Sequence, residues 1–443
     1  MLSIIGFLTI LTIVLLLISG RITPIMGLVL VPIGGALLAG FGMEEIGVFF
    51  NEGIDSVFSV VIMFIFAILF FGIMQDTGLF DPLINKMIAV SKGNIVAVAV
   101  GTVVIAAVTH LDGSGASTFL ITIPALLPLY LRLRMNPYML LLLVGMSASI
   151  MNMVPWGGPI GRTSAVLGVD PTELWRPLIP VQLSAFVLLI ALAVFLGLME
   201  KRKIARAGEE RHEADLEVAA TLETADDGPL PKKDDSLARP KLIWLNLLIA
   251  LSVIAVLVWG IIPSGFVFMI GLSVALPLNY PKVKDQMDRI KTHAPNALTM
   301  AAIILAAGSF LGIMDGTGML DSLAADLVTI LPAFVVPYLH VIMGVFGVPF
   351  DLILSTDAYY FAMLPVVEQV VTAYGVSSVT AAYTMVIGNI IGTFVSPFSP
   401  ALWLALGLAG LEMGRHIRYS FFWMWGFSIV LLFIAFLLGV ISI

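Results

Sequence analysis

Cysteine is absent from the 443 residues, which excludes a disulfide frame and a thiolate metal centre. Charge is scarce too. Asp, Glu, Lys and Arg make up 12% of the chain, about half the share usual in soluble domains. So deep a deficit over so long a chain excludes an ordinary soluble protein. The net charge of −7 carries no basic excess that would suit nucleic acid, which is not an expected partner. The first apolar run, "LSIIGFLTILTIVLLLISG", lacks the charged start and small-residue cleavage site of a signal peptide. It is expected to be a span.

What fills the chain is apolar: 60% hydrophobic residues and a mean hydropathy of +1.07. Windows of spanning length, bounded by breakers, predict spans near 2–20, 23–41, 55–75, 136–168 and 175–200. After a polar stretch come spans near 241–260, 263–280, 296–314, 378–411 and 418–441. Two further apolar stretches, about 94–130 and 331–372, are interrupted midway by polar residues. They are expected to be helical hairpins that enter the membrane and return, with their irregular tips covered by protein or facing a cavity.

The halves resemble each other. "GIMQDTGLFDPL" (72–83) and "GIMDGTGMLDSL" (312–323) match at seven of twelve positions, offset by 240. "STFLITIPALLP" (117–128) is answered by "STDAYYFAMLP" (355–365). The expected fold is therefore an all-α polytopic membrane protein of two repeats, 1–200 and 241–443, joined by a linker at 201–240. Each repeat has five transmembrane helices and one re-entrant hairpin. Five is odd, so the second copy should lie upside down relative to the first, as in secondary transporters.

Charge placement fits that topology. With the N- and C-termini outside, only Arg162 and Arg176 of the 22 basic residues fall away from the cytoplasmic side. That side takes Arg21, Lys86, Lys92, Arg132, Arg134, the linker cluster, Lys282, Lys284, Arg289, Lys291, Arg415 and Arg418. The outer loops carry Glu44, Glu45, Glu52, Asp55, Asp315 and Asp321, and also Arg176. The linker is charged and poor in aromatics, which suits a cytoplasmic tether. The cell (inner) membrane is the expected location, with the chain crossing it many times.

Chemistry at membrane depth concentrates in four places. The tip of the first hairpin, "HLDGSGASTF", holds Asp112, Gly113, Ser114, Gly115, Ser117 and Thr118; that of the second holds Asp351, Ser355, Thr356 and Asp357. An unwound tip exposes carbonyls that suit cations, and the following helix offers N–H groups that suit a carboxylate. An ionised Asp at mid-bilayer costs about 2.5–3.5 kcal/mol on insertion scales, so these residues should face a partner or a cavity. Helix capping alone is the plainer alternative.

The other two places are broken spans. Pro155, Gly157, Gly158, Pro159 and Gly161 crowd one; Pro397 and Pro400 interrupt the other. Arg162 follows the first break, and its guanidinium fits a carboxylate, either the substrate's or that of Asp112 or Asp357. Thr163 and Ser396 adjoin the breaks as candidate substrate ligands. Asn152 and Asn389 sit similarly in the two repeats and suit either ligation or helix bridging. His110 and His340 could pack or relay protons.

At these residues, "SGASTFLITIPALLP", "VPWGGPIGRTSAVLG" and "GLFDPL", the chain resembles the citrate–divalent metal:proton symporter family of the ion transporter superfamily. The resemblance implies proton-driven symport of citrate complexed with a divalent cation of the Mg or Ca type, by alternating access. It implies no resident cofactor, since the metal travels with citrate, and a homodimer in the lipid bilayer. Substrate would be met by Ser114, Gly115, Ser117, Thr118, Asn152, Gly157, Gly158, Arg162, Thr163, Ser355, Thr356, Asn389 and Ser396. Asp112, Asp351 and Asp357 would serve coupling, with the metal of the complex near Asp112 and Asp357. Related sodium–dicarboxylate carriers have Ser-Asn-Thr at each hairpin tip, and here the asparagine is missing. A sodium- or proton-coupled carrier of other carboxylates or anions is the alternative. An intramembrane serine hydrolase built on His110 and Ser114 is a remote one.

Overall fold

The computed structural model describes residues 1–18, 22–79, 81, 82, 86, 94–207 and 236–442, and all regular structure among them is helical. Arg21, Lys92, Arg211, Lys232, Lys233, most of the 201–240 linker and part of the "GLFDPL" motif lie outside the described residues. In chain order the helices are α1 (Leu2–Ile18), α2 (Pro24–Leu38), α3 (Met43–Asp76), α4 (Ile95–Thr109), α5 (Gly115–Arg132), α6 (Pro137–Met151), α7 (Gly158–Leu167) and α8 (Pro171–Ala207). Then follow α9 (Ile243–Trp259), α10 (Ser264–Asn279), α11 (Val283–Gly316), α12 (Met319–Ile330), α13 (Leu339–Val345), α14 (Leu364–Thr372), α15 (Ser378–Ile390), α16 (Pro400–Ala409) and α17 (Met413–Leu437). Among the described residues, seven helical segments are long and apolar enough to cross a membrane.

The element series recurs. α3 and α11 are both 34 residues long and begin 240 residues apart. α6, a break and α7 are answered by α15, a break and α16.

Three spans, α3, α8 and α11, are longer than hydropathy predicts. At about 1.5 Å per residue, 34 residues reach about 51 Å, well beyond a hydrocarbon core of about 30 Å. Glu44, Glu45, Glu52 and Asp55, expected in an outer loop, therefore lie on α3. Lys284, Arg289 and Lys291 lie on α11 in the same way. Arg176 is likewise not in a loop, because Pro171 starts α8 before it. Pro fits a helix's first turn, where its missing N–H costs nothing. The 12-residue α12 was not among the expected elements.

Burial separates core from lipid-facing helices. Every residue from Met139 to Met151 of α6 is buried, as is every one from Ala381 to Ile390 of α15. A helix apolar all round belongs inside a bundle. On α9 only Asn246, Ala250, Val253 and Leu257 are buried, a single stripe. Trp244, Leu248 and Leu251 on its other face are exposed, which only a lipid solvent tolerates at this density. Asn246 and Asn279 exchange two amide hydrogen bonds at 2.9 and 2.8 Å, joining α9 to α10 without a charge.

Candidate functional site

The two hairpin tips and the two helix breaks converge on one cavity of about 380 Å³. Asp112, Ser114 and Gly115 line it from the first tip, and Ser355, Thr356 and Asp357 from the second. Asn152, Trp156, Gly158 and Arg162 come from the first break, and Thr393, Phe394 and Ser399 from the second. α3 and α11 close the wall with Phe64, Ile68, Asn296, Thr299 and Met300.

Local chemistry shapes the first tip. α4 ends in a single turn, His110–Asp112, and Gly113 then takes φ 72°, a left-handed conformation that needs glycine. The Ser114 N–H donates to Asp112 Oδ1 (2.9 Å), and the Ser117 N–H to Ser114 Oγ (3.4 Å), so α5 starts capped at the cavity wall. Capping and cavity lining are thus both true of this tip. The Trp156 indole N–H donates to the Leu111 carbonyl (2.8 Å) and pins the tip to the first break. His110 completes the tie: its Nδ1 and Nε2 lie 2.7 and 2.9 Å from Thr118 Oγ1 and Asn152 Oδ1. That pairing leaves Ser114 without an imidazole partner, so the tip lacks the serine–histidine geometry of a hydrolase.

Arg162 projects from α7, one turn past the break. Its Nε donates to Asp357 Oδ1 at 2.7 Å, with both side chains about nine-tenths buried. Among the described residues, Nε is the only atom of the guanidinium bonded to protein, so the terminal edge formed by Nη1 and Nη2 stays available to a carboxylate in the cavity. Gly158 leaves room for it: a Cβ there would fall 2.6 Å from Nη1. α5, α7 and α16 all begin at the cavity wall, where helix N-termini add positive potential. The site therefore offers an ion-paired cation with a free edge, two carboxylates and several helix N-termini.

Of the residues expected to meet substrate or coupling ions, the cavity gathers Asp112, Ser114, Gly115, Asn152, Gly158, Arg162, Ser355, Thr356 and Asp357. The others stand behind it. Thr118 donates to the Ser114 carbonyl (2.9 Å), and Thr163 to that of Pro159 (2.9 Å). Ser117 lends its N–H to the Ser114 cap, and Gly157 seats its Cα against the Asn152 carbonyl. Asn389 donates to the Gly347 carbonyl (3.1 Å), and Ser396 accepts the Phe398 N–H (3.3 Å). Asp351 is buried and does not line the cavity. Asn296 and Thr299 were missed. Their signal was a pair of polar residues three apart at the polar edge of a predicted span.

A helical membrane chain whose paired breaks and hairpin tips wall a polar cavity has the architecture of a secondary transporter. Comparison places the chain more narrowly: it belongs to the family described as "Citrate transporter", whose model matches residues 5–388. It is 37% identical over 442 residues to "Citrate transporter" of Bacillus subtilis (strain 168), covering all of both chains. It is 39% identical over 443 residues to "Mg(2+)/citrate complex secondary transporter" of the same organism, again over the full length of both. Among solved structures, the Alcanivorax borkumensis YdaH transporter shares the fold, with a TM-score of 0.57, 17% identity and 90% of each chain covered. These relatives are transporters, not enzymes.

Proposed function

We propose that this protein carries citrate across the cell's inner membrane as its complex with a divalent cation, coupled to protons, by alternating access. The carrying observation is that all four polar interruptions meet at one cavity, with the free edge of Arg162 inside it. Citrate at neutral pH bears about three negative charges and a divalent metal about two positive ones, so the complex keeps about one. Arg162 is already balanced by Asp357, so helix N-termini and the open guanidinium edge suit that single residual charge. Free citrate would bring three charges beside Asp112 and Asp357, and like charges at such depth are strongly unfavourable. A metal in the complex turns those carboxylates from repulsive to attractive. The relatives named for citrate and for its magnesium complex support this reading.

Uptake of labelled citrate into proteoliposomes of the full chain tests it. Excess Mg²⁺ or Ca²⁺ should raise uptake at least roughly tenfold, and a chelator should abolish it. Metal-independent uptake, or uptake driven by sodium, would instead favour a carboxylate or other anion carrier of the same superfamily.

The recurrence of α3 as α11, and of α6–α7 as α15–α16, supports two repeats mounted in opposite orientations. On this reading 94–130 and 331–372 are re-entrant, the termini are outside and 201–240 is cytoplasmic. Two chains pair, as the family resemblance implies. Because the chain has no cysteine, Ala225→Cys reports sidedness directly: an impermeant maleimide should label it only from the cytoplasmic face. Labelling from outside would invert the topology.

A further inference from the structure

Asp351 precedes Asp357 by six residues but turns away from the substrate cavity. It is 1% exposed, and its Oδ2 has no hydrogen-bond partner among the described residues. Asn389 is the side chain within hydrogen-bonding reach of this carboxylate. The amide nitrogen of Asn389 donates one N–H to the Gly347 carbonyl at 3.1 Å and has a second N–H for the Asp351 carboxylate, while its Oδ1 is buried and unpartnered. Turning the amide over does not help. It would aim Oδ1 at the Gly347 carbonyl, which already accepts the Asp351 N–H at 3.2 Å. Asp351 Oδ2 and Asn389 Oδ1 are both buried without a partner among the described residues, and a carboxylate this deep with one amide and no cation against it is strongly disfavoured when charged. A proton on Oδ2 removes that charge.

The surroundings favour a proton over a metal ion. A Cβ on Gly392 would fall 2.2 Å from Asp351 Oδ2 and 3.1 Å from the Val348 Cα, so backbone closes on the carboxylate. A hard cation would need about six oxygens around it. The titratable neighbours are Tyr359 and Tyr360, which flank each other at 5.3 Å between ring centroids. Tyr359 donates to the Met343 carbonyl (3.0 Å), while the Tyr360 hydroxyl is buried without a partner among the described residues. On the adjoining helices, His340 faces the Ser442 carbonyl (3.4 Å), and His416 faces the Phe394 carbonyl (2.9 Å) and Ser420 (3.3 Å). Arg415, at the start of α17, pairs with Glu412. No Lys, Arg or His pairs with Asp351 among the described residues. Tyr360 is within electrostatic reach of both Asp351 and Arg162, and it sits in a π-helical segment, Ala358–Met363, a distortion frequent at functional sites.

We propose that Asp351 carries the coupling proton at a buried position separate from the substrate cavity, as a carboxylic acid beside Asn389. The proton enters from one water phase and leaves Oδ2 to the other. Residues 355–357 and the π segment lie between this position and Arg162 and link proton and substrate. The proposal rests on the proton-coupled citrate reading, and two kinds of measurement keep them apart.

The substrate-free measurement is infrared spectroscopy of the purified full chain. At neutral pH the parent should show the carbonyl band of a buried protonated carboxyl, and D351N should lack it. No such band in the parent, or the same band in D351N, overturns the proposal whatever the substrate proves to be. The transport measurement uses proteoliposomes and the magnesium–citrate complex. The amide introduced by D351N is neutral and close in shape to the protonated acid, so this variant should fold. It should lose proton-driven accumulation at least tenfold, keep citrate–citrate exchange within threefold, and exchange at a rate flat between pH 5 and 8. N389D, which sets a second carboxylate against the first, should move the pH midpoint of uptake upward by at least one unit. Accumulation by D351N in response to a proton gradient, or an unmoved midpoint in N389D, sinks the assignment. Parent liposomes that accumulate citrate on a sodium gradient and not a proton gradient sink it as well.

Discussion

Arg162→Ala is expected to reduce magnesium–citrate uptake and binding at least 100-fold. The free guanidinium edge offers two charge-assisted hydrogen bonds, each worth about 1.5–3 kcal/mol, and tenfold in affinity is about 1.4 kcal/mol. The substitution also strands Asp357, nine-tenths buried, without its partner at 2.7 Å. Breaking such a pair costs about 3–5 kcal/mol, so the single variant should melt at a lower temperature. Arg162→Ala combined with Asp357→Asn separates the two effects: stability should recover and binding should not. Arg162→Lys keeps the charge but cannot hold Asp357 through one nitrogen while presenting a two-nitrogen edge, so it should resemble Ala in transport. Gly158→Ala is the milder companion. Its Cβ meets only the mobile tip of Arg162, at 2.6 Å from Nη1, so the protein should fold and bind roughly 3–30-fold more weakly. Calorimetric titration with magnesium–citrate measures all four. Near-parental affinity in Arg162→Ala would remove that residue from the site.

The placing of the site was legible because irregular backbone inside a membrane needs residues that a plain span does not use. Gly157, Gly158 and Pro159, or Pro397 and Pro400, have no role in a straight lipid-facing helix, so their positions marked the breaks directly. The tips announced themselves in the same way, through Asp112–Gly115 and Ser355–Asp357. What could not be read was direction. Asp351 and Asp357 occupy one tip and look alike on a hydropathy plot, yet one meets Arg162 and the other Asn389. The choice depends on three-dimensional neighbours 195 and 38 residues away in the chain. Asn296 and Thr299 escaped for a different reason. They lie on α11, which is continuous, and a polar residue in an unbroken helix leaves no local mark of the face it occupies. The lengths of α3 and α11 were hidden because hydropathy registers the immersed part of a helix and not its charged extensions.

Those two long helices carry the second large effect, Gly53→Val. α3 and α11 touch backbone to backbone. A Cβ on Gly53 would fall 2.1 Å from the Gly308 carbonyl oxygen and 2.9 Å from the Gly312 Cα. One on Gly312 would meet the Phe49 carbonyl at 2.2 Å. Backbone cannot rotate aside as a side chain can, so any larger residue must push the helices apart. Small residues spaced four apart, as Gly308 and Gly312 are, allow such close crossings in membranes, where packing rather than the hydrophobic effect holds helices together. Overpacking a well-filled contact costs about 1–3 kcal/mol, and a clash with backbone on both sides belongs at the upper end or beyond. Gly53→Val should therefore lower the yield of folded protein and its melting temperature. It should also abolish uptake in what remains, because the same two helices place Phe64, Ile68, Asn296, Thr299 and Met300 in the cavity wall. Gly47→Val, on the same helix with no atom within 4 Å of its added Cβ, is the control and should behave like the parent. If Gly53→Val instead folds, melts and transports as the parent does, the two helices are free to separate. The cavity wall that they form would then not be held by their contact.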